Sequence, residues 1–337
     1  MFARQILVLI VSLSVALAHP LALHKQARGA VPGIQAREIA SEFQALFDGN
    51  QQFRTSIASS QQPTLLKSLT DEGQAPPFMF LGCSDSRVSE GTVFSAKPGT
   101  LFSQRNIANQ FHHTDANTHS VYSYAIAELK VKHVIIMGHY GCGGVAAAIA
   151  TPPKAPIDAA NGAVQNWIAP IREIFATSTR PEIVELRERI KGQEEVEEPE
   201  PQEPGFRALV EENVKAGVRA MVADSVLSNH YAALAGNSTE GIKGRSVEGP
   251  LSDVFVHGLV YDIENGEIRD LGISVGPPGK PIPELPFPKV NSTAPASVEP
   301  INNTVGDVAT TSTTTEHSAR EACMQGCKAK RGLFSSH

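Results

Sequence analysis

Phe78-Met-Phe-Leu-Gly-Cys-Ser-Asp-Ser-Arg87 and, further on, Gly138-His-Tyr-Gly-Cys-Gly-Gly144 decide how this chain is read. Each stretch closes an apolar run that predicts a buried strand, and each ends abruptly in small polar residues. The first end carries Cys83, Asp85 and Arg87, and the second carries His139 and Cys142. Three soft or borderline ligands at two strand ends are what a catalytic zinc site needs, with a fourth position left open. Residues two apart on an extended segment point the same way, so Asp85 and Arg87 share a side with Cys83 and can form a charge-assisted pair. His139 and Cys142, three apart, face one way on a turn entering a helix, where a thiolate is stabilised. Gly141, Gly143 and Gly144 leave room for backbone to wrap closely around an ion.

Working outward, strand candidates fall at Phe78–Leu81, Thr100–Gln104 and His133–Met137, with a helical pattern over Thr118–Leu129 and another from Gly143 to Ile149. Strand and helix in alternation predict an α/β fold with a central, mostly parallel sheet flanked by helices, and such sheets place their sites at the carboxyl ends of strands. Before this core, Ile34, Ile39, Phe43, Leu46, Phe47 and Phe53 recur at helical spacing. After it, Asn161–Phe175, Pro181–Ile190 and Phe206–Leu234 read as helices. Asp253–Asp262 reads as a strand, Asn265-Gly266 as a hairpin turn and Ile268–Leu271 as its antiparallel return. One catalytic domain over residues 34–276 accommodates all of these.

The ends of the chain have a different composition. Arg4 followed by the apolar run Ile6–Leu17 and Ala16-Leu17-Ala18 predicts a secretory signal over residues 1–18, too short to span a membrane. Residues 19–33 form a linker, and residues 277–337, rich in Pro, Ser and Thr, a flexible tail. Sequons at Asn237, Asn291 and Asn302 suit a secreted glycoprotein, as does Cys323-x3-Cys327 as a small disulfide loop or free thiols. The acidic, Pro-rich run over residues 193–204 predicts a solvated loop. A formal charge of −6 and the lack of a basic stripe exclude an electrostatic footprint for nucleic acid.

Secretion keeps another reading open. Cys83 and Cys142 as a disulfide would make a non-catalytic secreted module, with Asp85–Arg87 a structural ion pair and His139 a satisfied core histidine. That reading leaves His139, Asp85 and Arg87, on matched strand ends, without a shared purpose.

Cys-Ser-Asp-Ser-Arg followed by Gly-His-x-x-Cys-Gly-Gly resembles the β-class carbonic anhydrases, close to the plant-type branch. The similarity covers about residues 35–276 and includes Arg105-Asn-Ile-Ala-Asn109, the segment Tyr124–His139 and Val256-His-Gly-Leu-Val-Tyr-Asp262. The resemblance implies reversible hydration of CO2 to bicarbonate and a proton by zinc-bound hydroxide, with one Zn2+ per chain on Cys83, His139 and Cys142. It implies that Asp85 accepts a hydrogen bond from that hydroxide and that Arg87 holds Asp85. Gln74 matches a glutamine that binds the substrate oxygen, and Phe102, Ile107 and Tyr124 match residues lining a CO2 pocket. That pocket lies at a dimer interface, so a homodimer or dimer of dimers is expected. Phe80 stands where relatives with an inhibitory bicarbonate site usually carry Trp, which places this chain in the open, water-bound group. The same site would also suit hydrolysis of CS2 or COS. No proton shuttle is identified, His112 and His113 being surface candidates.

Overall fold

The computed structural model describes residues 32–236 and 251–290, with side chains from residue 41 onward. The expected signal segment, most of the linker, the three sequons, Cys323 and Cys327 lie outside the described residues. Two compact units divide the chain, one up to Lys67 and one from Ser68 on. In the first, α1 (Pro32–Ala58) is a long helix whose Phe43, Leu46 and Phe47 are 65%, 71% and 56% exposed. Among the described residues no helix is long and apolar enough to cross a membrane.

The second unit is built on a five-stranded sheet in the order β2-β1-β3-β4-β5. β1 (Phe78–Cys83), β2 (Leu101–Asn106), β3 (His133–His139) and β4 (Phe255–Tyr261) run parallel, and β5 (Ile268–Val275) returns antiparallel along β4. α2 (Leu65–Glu72) precedes β1, and α4 (Ala116–Ala127) links β2 to β3. β1 and β3 are neighbours because both are apolar on both faces. Met79, Leu81, Val134 and Ile136 point to one side and Phe80, Ile135 and Met137 to the other. Each such side chain, buried, contributes about 1.5–3 kcal/mol. The first side is covered by α4, α9 (Pro204–Ala223) and α10 (Ser225–Ala235). The other lies under Phe94, next to the one-turn α3 (Glu90–Val93), and under Leu285 and Phe287. β2 is an edge strand, whereas β5 is held at Asp270 by two backbone bonds to the segment 288–290.

Several elements differ from the sequence reading for local reasons. The expected helix over Asn161–Phe175 is two, α6 (Ala159–Trp167) and α7 (Ala169–Thr177). The break at Ile168 precedes Pro170, which has no amide hydrogen to continue the ladder. α9 and α10 likewise part at Asp224, whose extended backbone and carboxylate, accepting from Val226 N, start a new helix at Ser225. α8 (Pro181–Ile190) agrees with expectation. The acidic run after it is largely exposed but attached by reciprocal bonds between Thr151 and Val196 and by the ion pair of Glu203 with Arg189. Residues 277–290, expected as the start of a tail, lie against the sheet because Leu285 and Phe287 have apolar partners there.

Candidate metal centre

Cys83 is the last residue of β1 and His139 the last of β3, so two adjacent parallel strands end side by side. Cys142 caps α5 (Gly143–Ile149), three residues after β3 stops. Gly141 makes that short return possible with a φ of 70°, a region few L side chains adopt. Gly144 lets α5 approach the chain opposite, since a Cβ there would lie 2.8 Å from Ile107 Cγ2.

The three side chains converge. Their ligand atoms lie within 4.8 Å of one another, and all three residues are buried. The two sulfurs are 3.9 Å apart and both cysteines are free, far from the ~2.05 Å of a disulfide bond. Hydrogen bonding to Cys142 draws the Cys83 thiol below the usual thiol range, while the same bond and burial push Cys142 well above it. His139 Nδ1 lies 3.0 Å from the Tyr140 carbonyl. A carbonyl only accepts, so Nδ1 is the donor, and in the neutral ring the lone pair lies on Nε2. That Nε2 is buried and makes no hydrogen bond. An orphaned imidazole nitrogen beside two enclosed sulfurs is a donor set that suits zinc, which at catalytic sites takes three protein ligands and a fourth group.

Asp85 and Arg87 sit at the rim. Asp85 Oδ1 accepts from Arg87 N and Nε, both at 2.9 Å, and Oδ2 accepts from Nη2 at 2.6 Å. This fork pulls the Asp85 carboxyl down to about 2. Oδ2 also lies 3.8 Å from His139 Nε2, so the carboxylate borders the space the ligands enclose. Arg87 further donates to the Gly141 carbonyl at 3.2 Å and ties the two strand ends together.

Two features escaped the sequence reading of individual roles. Arg105 donates to the carbonyls of Cys83 at 2.9 Å and Asp85 at 2.7 Å, clamping the loop that carries both. Its place was legible only in register, because parallel pairing sets Arg105 opposite Gly82. The Ala108 amide donates to Cys83 Sγ at 3.4 Å, a contact that no side-chain pattern signals.

The other expected site residues lie farther out. Gln74 is exposed in the loop before β1. Phe102 and Tyr124 stack with ring centroids 5.8 Å apart, and Tyr124 is half exposed. Ile107 sits over the start of α5, 38% exposed. His112 packs on Trp167, with centroids 4.8 Å apart.

Comparison with known proteins agrees with this geometry. Residues 78–237 match the family model described as carbonic anhydrase. A carbonic anhydrase of Emericella nidulans is 32% identical over 201 residues, 60% of this chain and 72% of that one. One of two tetrameric β-carbonic anhydrases from Sordaria macrospora superposes with a TM-score of 0.52 at 29% identity, covering 70% of this chain and 99% of that one. The Coccomyxa β-carbonic anhydrase in complex with acetazolamide gives a TM-score of 0.52 at 26% identity, covering 68% and 86%. With that kinship, and two cysteines and a histidine gathered at the ends of adjacent parallel strands, this chain belongs to the β-carbonic anhydrase family.

Proposed function

We propose that this chain, as a member of the plant-type branch, catalyses reversible hydration of CO2 to bicarbonate and a proton, with one zinc ion on Cys83, His139 and Cys142. The observation that carries the reading is the buried Nε2 of His139, which makes no hydrogen bond, on a residue whose ligand atom lies within 4.8 Å of both sulfurs. When bound, zinc lowers the pKa of a water to about 7 and so supplies a nucleophile at neutral pH. The residues do the rest. Asp85 stays ionised and can only accept. Arg87 occupies three of its roughly four lone-pair directions, which leaves one for the reacting water. Asp85 therefore fixes the orientation of that water towards the carbon of CO2. A carboxylate gripped by Arg87 is not free to swing onto the ion, and this supports the open, water-bound form.

CO2 is apolar and linear, and an apolar pocket with one amide donor suits it. We assign that pocket to Phe102, Ile107, Tyr124 and Gln74, completed by a second copy of the chain. Two observations support a homodimer or dimer of dimers: the half-exposed Tyr124 and Ile107, and the bare apolar stripe on α1. Light scattering on the purified protein should give two or four chains per particle, and Phe43→Glu with Phe47→Glu should lower that number. A wild-type protein that runs as a monomer would refute the assembly. The protein is proposed to be secreted after loss of residues 1–18, with N-terminal sequencing of the natural product as the check.

Stopped-flow CO2 hydration tests the activity. Two sulfurs would supply negative charge to a bound ion, while the Arg87 fork offsets the charge of Asp85, so a water there would give up its proton less readily than beside neutral ligands. The rate should rise with pH, fall on chelation, and fall with acetazolamide. A flat profile from acid to alkaline, or activity indifferent to chelation, would end this reading.

A further inference from the structure

The chain after β2 runs through an unusual backbone. Ala108 and Asn109 are consecutive non-glycine residues with φ of 58° and 47°, in the left-handed region. Such pairs persist only where their surroundings over-determine them. Here the surroundings are side chains from three separate elements. Trp167 Nε1, on α6, donates to the Ile107 carbonyl at 2.8 Å. Asn213 Nδ2, on α9, donates to the Ala108 carbonyl at 3.0 Å, and Gln110 Nε2 donates to it at 3.1 Å. Asn213 Oδ1 also accepts from Gln110 Nε2. Asn106 brackets the backbone of Gln110 from both sides, accepting from its amide at 2.7 Å and donating to its carbonyl at 2.8 Å. Asn213 and Gln110 are 4% and 6% exposed, so water cannot replace either bond at little cost.

What this network aims is the Ala108 amide, which points at Cys83 Sγ. A donor on a metal-bound sulfur withdraws charge from it, and outer-shell partners of this kind orient and tune the ligand. We propose that Asn213 is a positioning residue for the metal centre: through Ala108 it holds the amide on Cys83 and sets how tightly the sulfur binds zinc. Asn213 touches neither metal nor substrate, and it lies far along the chain from every ligand. The inference rests on the zinc reading above.

The test follows zinc release from the full-length protein to a chromogenic chelator for wild type, Asn213→Leu, Trp167→Phe and Met221→Ala. Asn213→Leu keeps the branching and number of heavy atoms and removes both hydrogen-bonding ends. Release should be about 10–100-fold faster, the usual cost of losing an outer-shell partner. Trp167→Phe, which removes one donor to the same turn, should shift release in the same direction by less. Met221→Ala opens the core at the far end of the same helix, and should lower Tm without changing release. The sulfur-to-cobalt charge-transfer band of the cobalt-loaded protein should move in Asn213→Leu and stay put in Met221→Ala. Release and spectrum equal to wild type in Asn213→Leu, or an equal change in Met221→Ala, would overturn the proposal. Should Asn213→Leu fail to fold, unchanged release from Trp167→Phe overturns it instead. A wild type that takes up no metal defeats the zinc reading itself, and this inference with it.

Discussion

Cys142→Ser is expected to yield a folded chain that retains no zinc and hydrates CO2 at the background rate. The side chain is 1% exposed, so its loss changes little at the surface and hardly any volume in the core. The chemistry changes sharply. A hydroxyl does not ionise near neutral pH, and it replaces a soft donor that zinc favours. Affinity should fall well beyond the ~10–100-fold that outer-shell changes cost. Metal analysis after gel filtration, paired with stopped-flow hydration, is the check. One zinc per chain in the variant would show that the ion sits elsewhere.

Asp85→Ala should separate metal binding from turnover. Zinc content should stay at one per chain, while kcat/KM falls by about 10²-fold or more, the usual cost of losing orientation at the reacting atoms. Arg87→Ala should cost a large part of the same factor for a different reason. The guanidinium holds the Asp85 carboxyl near 2, and without it the value returns towards about 3.9, still far below neutral. Asp85 therefore keeps its charge in both wild type and Arg87→Ala from pH 6 to 9. The loss in Arg87→Ala must come from orientation, and it should be the same factor across that range. A deficit that disappears as pH rises would point to charge instead. Wild-type kcat/KM in Asp85→Ala would remove this residue from the mechanism altogether.

Much of the architecture was legible because the information is local. β1 and β3 are short apolar runs that stop at small polar residues, and the burial of both faces follows from that composition. The gathering of Cys83, His139 and Cys142 follows from placing two such ends side by side. Other features depend on contacts between distant residues. The join between α9 and α10 continues the apolar periodicity, and only the cap at Asp224 reveals the break. The segment 277–290 has the composition of a loop, yet two apolar side chains find partners on the sheet. The bond between Gln110 and Asn213 joins residues 103 apart, and neither carries a motif. Local patterning points to ligands, while the polar scaffold that aims them is a property of the assembled fold.

The two margins of the sheet have unequal prospects. Along β5, the chain's own residues 288–290 lie across the outer rim at Asp270. Along β2, no further strand pairs with the rim among the described residues. A flat ribbon open at both rims recruits copies without limit, the route to fibres. A ribbon obstructed at one rim can add a single inverted twin at the other, and growth by strand addition then stops. Removing residues 277–290 would therefore threaten solubility before it touched the chemistry.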